Sequence, residues 1–158
     1  MSIAFTVYVT VQALARDFSG DGWDAALANL RQSDIRSVVL ESYRGGLTLD
    51  EDVLRRARDR FRAEGFETLG GLMPVWGEGF GQPGEGIEMR LPFFCYSAEN
   101  TVTDLEGEVR KLSRLFDQVI IDDAFLTSCR CETCDAARRG RDWPAFRRDL
   151  LNRVAERW

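Results

Sequence analysis

The residues that could do chemistry in this 158-residue chain are concentrated between Val119 and Cys134. The run Val119-Ile-Ile-Asp-Asp123 ends in two carboxylates, and Cys129, Cys131 and Cys134 follow in a Cys-x-Cys-x-x-Cys pattern. Carboxylates at the end of an apolar run suit general acid, base or nucleophilic work. Three thiols this close can ligate one ion from a single loop, and Cys95 is the only other cysteine, so the set closes as Cys95, Cys129, Cys131 and Cys134.

Four thiolates leave no open position, which makes such a site structural and not water-activating, with zinc the expected ion. The start of the chain alternates and lacks a basic leader region, so a strand is favoured over a secretory signal, and reduced thiols on a metal over disulfides. The competing readings are four reduced thiols without metal, or a redox pair at Cys131 and Cys134. The redox pair is disfavoured because it is not expected to open a helix.

Composition narrows the alternatives further. The chain contains no histidine, which removes Ser-His-Asp and Cys-His catalysis and imidazole-ligated zinc. A net charge of −5 argues against nucleic acid as a partner. No apolar run reaches the roughly 20 residues that a membrane span needs. A cytoplasmic location is the expectation.

The elements that must position these groups read as alternating strands and helices. Phe5, Val7, Val9 and Val11 alternate with Thr6, Tyr8 and Thr10 as a first strand. Asp21 is placed to cap a helix with Trp23, Ala26, Leu27 and Leu30 on its apolar face. A short buried strand, 37–40, leads into Glu41-Ser-Tyr-Arg44. Thr48 and Glu51 have capping-box spacing ahead of a helix with Val53, Leu54, Ala57 and Phe61 inward and its arginines on a solvated face.

A third strand is expected over 67–75, then a Gly-rich surface loop over 76–86 with no phosphate-binding pattern. The run 90–96 fits an extra strand or a packed loop. Val102, Leu105, Val109, Leu112 and Phe116 mark a third helix, 118–123 the fourth strand, and Asp142 with Pro144 the start of a last helix carrying Trp143, Phe146, Leu150 and Val154.

Four strand–helix units imply an α/β fold with a parallel sheet, either an open doubly wound sheet or part of a (β/α)₈ barrel. A full barrel takes about 250 residues, so one domain of 158 residues corresponds to a half barrel. The expectation is a truncated barrel or a half that pairs with another copy or with a missing C-terminal half.

In such folds the active face lies at the C-terminal ends of the strands. Glu41, Trp76 and the pair Asp122 and Asp123 fall there. Alternation lets only one of the adjacent aspartates face the barrel mouth, and Asp123, further out, is the first candidate. Glu41 with Tyr43 and Arg44 is a tuned acid or an ordinary ion pair. Trp76 and Tyr96 are a sugar-stacking platform or core packing.

The cysteine pattern resembles that of the family 42 β-galactosidases, (β/α)₈ glycosidases in which an upstream cysteine and a Cys-x-Cys-x-x-Cys loop after strand four bind structural zinc. Cys95 and Cys129-Arg-Cys-Glu-Thr-Cys134 match it, as does Phe146-Arg147 followed by Leu150. Ile121-Asp-Asp-Ala-Phe125 and Arg141-Asp-Trp-Pro-Ala-Phe-Arg147 are similar to segments of bacterial glycoside-hydrolase-like proteins.

The resemblance implies carbohydrate as substrate, Asp123 or Asp122 as catalytic carboxylate, Glu41, Tyr43 and Arg44 as substrate contacts, and Trp76 and Tyr96 as stacking residues. The galactosidases carry a glutamate where this chain has aspartates, and their second carboxylate comes from a late strand. The reading from a different class is a non-catalytic, zinc-stabilised α/β module that associates through open sheet edges.

Overall fold

The structure is a computed structural model that describes residues 5–18, 22–86, 92–122 and 125–158. Its order is β1 (Phe5–Val9), α1 (Val11–Asp17), α2 (Trp23–Gln32), β2 (Ile35–Arg44), β3 (Leu47–Thr48), α3 (Glu51–Ala63), β4 (Glu67–Met73), α4 (Glu99–Leu115), β5 (Val119–Ile121), α5 (Glu132–Arg138) and α6 (Trp143–Ala155). The parallel strands lie in the order β1-β2-β4-β5, and the two-residue β3 pairs antiparallel with the end of β2.

Strands that neighbour one another in chain order, with no reversal, match successive strands of a (β/α)₈ barrel. A doubly wound sheet would change direction at a switch point. Of the two architectures open at the sequence level, the topology selects the half barrel.

The two sheet faces follow from glycines on β4. A Cβ on Gly70 would lie 2.9 Å from the Phe116 ring and 3.0 Å from Leu112, so Gly70 faces α4. Gly71 faces the opposite, inner side, where a Cβ would lie 2.7 Å from Val39 Cγ1 and 2.8 Å from the Tyr8 hydroxyl. Gly71→Ala is therefore expected to destabilise the sheet by roughly 1–3 kcal/mol in denaturant unfolding, because Val39 is fixed on the adjacent β2 and Tyr8 on β1 beyond it.

The helices behave as their apolar spacing demands. On α4, Val102, Leu105, Val109, Leu112 and Leu115 are buried, with Leu105 and Leu112 fully enclosed. On α6, Phe146, Leu150 and Val154 are buried, and the Asp142 carboxylate accepts the Ala145 N–H at 3.1 Å as an N-cap. The arginines of α3 stay at its surface, where Arg55 pairs with Glu51 at 2.7 Å and Arg58 donates to Leu115 O at 3.0 Å, satisfying an end carbonyl of α4.

Several boundaries differ from the sequence expectation. Val11 opens α1 and does not extend β1, because the Thr10 side chain accepts the Ala13 N–H at 3.2 Å and starts a helix there. Asp21 lies outside the described residues; Gly22 holds the N-cap position of α2. The capping box at Thr48 does not form. Asp50 is the N-cap of α3, and the Thr48 hydroxyl instead donates to Glu108 at 2.7 Å, in a part-buried knot closed by Lys111 at 2.8 Å from the same oxygen.

The Gly-rich segment is likewise no free surface loop. Gly81 N–H donates to Asp104 at 2.8 Å, Gln82 N–H to Thr101 at 2.8 Å, and Phe80 stacks on Tyr43 with ring centroids 4.1 Å apart. Aromatic contacts continue from Phe80 through Phe94, Tyr96 and Phe125 to Trp158. They tie the segments after β4 and β5 into one layer.

Candidate functional site

Glu41 lies on the inner face of β2, and the strand does not stop there as the sequence suggested. It runs to Arg44, with Glu41 opposite Gly71 but Tyr43 opposite Leu72 and Arg44 opposite Met73. The extra residue, Ser42, forms a bulge. A regular strand would put residues three apart on opposite faces; the bulge brings Glu41 and Arg44 to the same one and turns Tyr43 toward the core.

Glu41 is completely buried. Its Oε2 accepts the Val11 N–H at 2.7 Å, and Arg44 grips the carboxylate through Nε at 3.0 and 3.1 Å and Nη2 at 2.8 Å. Arg44 is less buried, and its Nη2 reaches Asp122 Oδ2 at 4.0 Å. Asp122 continues the β5 ladder by donating its N–H to Leu72 O at 2.9 Å. Register places Ile120 opposite Gly71 and Ile121 opposite Leu72, so Asp122 falls on the inner face with Arg44.

Tyr8 completes this group. The Arg44 guanidinium lies 6.0 Å from its ring centroid. Its phenol is held far above the ordinary range, first by burial and then by the negative charges of Glu41 and Asp122, while Arg44 works against them. The hydroxyl is buried without a hydrogen-bond partner among the described residues, and it stays protonated. Tyr8 was missed in the sequence because it reads as one polar step in an alternating strand.

The other expected contacts are placed differently. Tyr43 is fully buried; its hydroxyl donates to Val75 O at 2.9 Å and accepts the Gly46 N–H at 3.0 Å, and burial pushes its proton up to about 12. Tyr96 is also buried, its ring edge-on to Phe94 and Phe125. Both rings are occupied in packing, because the loops after β4 and β5 close over them. Trp76 is half-buried against the same core. Asp123 lies outside the described residues.

The second cluster is the thiol set. Cys95, Cys129, Cys131 and Cys134 are all buried, with Sγ atoms within 4.8 Å of one another; Cys95 lies 3.6 Å from both Cys131 and Cys134. Metal–sulfur bonds of about 2.3 Å in a tetrahedron put the sulfurs roughly 3.8 Å apart. The cluster has the size and chemistry to hold one metal ion.

Polar groups stand against two of the sulfurs. Glu85 N–H donates to Cys129 Sγ at 3.3 Å, and the Ser97 hydroxyl lies 3.2 Å from Cys134 Sγ. Contact with Cys95 pulls the Cys134 thiol down to about 5, and the same contact drives Cys95 up; burial pushes Cys129 up to about 11.

Cys131 is the N-cap of α5 and Cys134 sits in its first turn. The expectation that this pair does not open a helix is therefore corrected. The sequence shows no apolar stripe there because the helix has only seven residues and presents its cysteines to the core.

Parallel strands in chain order, helices between them, and an acid, arginine and phenol at the strand ends define an α/β protein of the barrel class with a polar site at its mouth. The match to known families agrees. Residues 1–158 match the family described as "Probable glycosyl hydrolase, catalytic domain", and the chain belongs to it.

An uncharacterized protein of Saccharolobus solfataricus is 28% identical over 127 residues, covering 80% of this chain and 21% of that protein. The chain thus spans about a fifth of the length of this curated relative. Among solved structures, a noncanonic maltogenic alpha-amylase, AmyB from Thermotoga neapolitana, is similar with TM-score 0.47 and 13% identity, over 86% of this chain and 42% of that one. At that score the likeness carries no argument. No described helix is long and apolar enough to cross a membrane.

Proposed function

We propose that this chain contributes the first strands of a glycoside-hydrolase barrel that cleaves carbohydrate by carboxylate chemistry, with a structural zinc ion on its four cysteines. The observation that carries the reading is the Glu41–Arg44–Asp122 line at the strand ends, in a chain belonging to a glycosyl hydrolase family.

In this reading the roles separate by exposure. Glu41, enclosed and bonded through both oxygens, holds Arg44. Arg44 and Asp122, both partly open, meet substrate, with Asp122 or its neighbour Asp123 as the catalytic carboxylate. Tyr8 supplies a neutral donor between them. Trp76 remains the stacking candidate of the pair first considered.

Glycoside hydrolysis takes two carboxyl groups flanking the scissile bond. With Glu41 committed to Arg44, the second comes from a further strand, pairing along the exposed edges of β1 or β5 where Phe5 and Ile120 stand open. Zinc on Cys95, Cys129, Cys131 and Cys134 would clamp the segment before α4 to the loop after β5 and take no part in bond cleavage.

The test is a panel of aryl glycosides assayed with the protein carrying this chain. Asp122→Asn or Asp123→Asn is expected to lower turnover roughly 10²- to 10⁴-fold at unchanged metal content. Hydrolysis that neither substitution affects would remove the catalytic assignment.

A further inference from the structure

Arg147, on the first turns of α6, reaches the loop that carries Cys129. Its Nη2 donates to Ser128 O at 2.9 Å, one residue before Cys129, and its guanidinium lies over the Trp143 ring at 5.0 Å. Its Nε is buried without an acceptor among the described residues, and no carboxylate there stands within ion-pair distance. The neighbouring arginines 138, 141 and 148 each have one, at 2.7, 3.2 and 3.1 Å.

A half-buried cation without a carboxylate is costly unless some other negative charge faces it. Burial and the like charge of Arg130 both work against the Arg147 cation, and the sulfurs of Cys134 and Cys129 are what favour it. Four thiolates around one divalent ion leave the centre with net negative charge. Arg147 holds, through Ser128 O, the loop that carries one of these thiols.

We propose that Arg147 is the counter-charge of the thiol centre: its guanidinium offsets the negative charge of the metal tetrathiolate, while its bond to Ser128 O fixes the loop that carries Cys129. This rests on the metal reading above and deepens it. Arg147 is a positioning residue, since it acts through the ligands and not on substrate. It also gives α6 a purpose beyond packing, because Phe146 anchors the helix in the core and the next residue reaches the metal loop.

The test is chelator competition for zinc, and for cobalt as a spectroscopic stand-in, on the protein carrying Arg147→Met or Arg147→Lys. Loss of an outer partner of a metal ligand typically weakens binding 10- to 100-fold. Arg147→Met, which keeps the packing on Trp143 without the charge, is expected to weaken metal binding in that range, with the cobalt spectrum still that of four sulfur ligands. Arg147→Lys, which restores the charge without the fork, is expected to recover most of the loss.

Metal held as tightly by Arg147→Met as by the parent would overturn the inference and leave the metal site standing. An equal fall in both variants would also overturn it, since charge would then not matter. A parent protein that takes up no metal would overturn the metal reading itself.

Discussion

Glu41→Ala should cost about 3–5 kcal/mol of folding stability, the range seen when one partner of a buried ion pair is removed and its charge is left behind. Arg44 would keep its position beside Tyr8 without the carboxylate that neutralises it, and Val11 N–H at the start of α1 would lose its 2.7 Å acceptor. For a chain of this size that corresponds to a melting-temperature drop of roughly 10 °C. Glu41→Gln should lose less, because the amide oxygen can still accept from Val11. A melt unchanged by Glu41→Ala would mean that Arg44 is solvated and that the strand-end line is not held together by Glu41.

Chelation of the proposed zinc should have the other large effect. Binding energies of structural zinc are on the order of 10 kcal/mol and are folding energy for the segments that the ion joins. Here those segments are 82–86 with 92–98 on one side and 127–134 on the other, where Thr127 donates to Phe94 O at 3.3 Å, Glu85 N–H to Cys129 Sγ at 3.3 Å and Arg130 N–H to Glu85 O at 2.5 Å. Metal removal should therefore expose amides of both segments to hydrogen exchange while β2 and β4, the centre of the sheet, stay protected. Uniform protection before and after chelation would contradict a clamp.

How much of this could be read from the chain varies with the physics of each element. The α4 stripe was legible because Val102, Leu105, Val109 and Leu112 repeat at helical spacing, and the α6 start because Asp142 and Pro144 are strong local signals. The thiol set was legible by elimination, since Cys95 had no other partner, and its four sulfurs do converge.

The strand-end line was only half legible. Glu41, Arg44 and Asp122 could be named, but what joins them is a bulge at Ser42, and a bulge is set by pairing with β4, which strand alternation does not encode. Tyr43 as a substrate contact, and the choice between stacking and packing for Tyr96, could not be decided from the chain, because their covers, the segments after β4 and β5, carry glycine and polar residues and read as loops. Tyr8 read as one step of an alternating strand, and Arg147 stood in a motif that did not show what its side chain touches. Each became interpretable only once its neighbours on other elements were in place.

The separation of jobs within 119–134, acids at the strand end and thiols behind them, rests most heavily on the metal. X-ray absorption and metal content of the purified protein test it most directly. The account predicts about one zinc per chain with four sulfur neighbours at about 2.3 Å. Metal-free protein of undiminished stability, with four thiols that titrate freely, would contradict it.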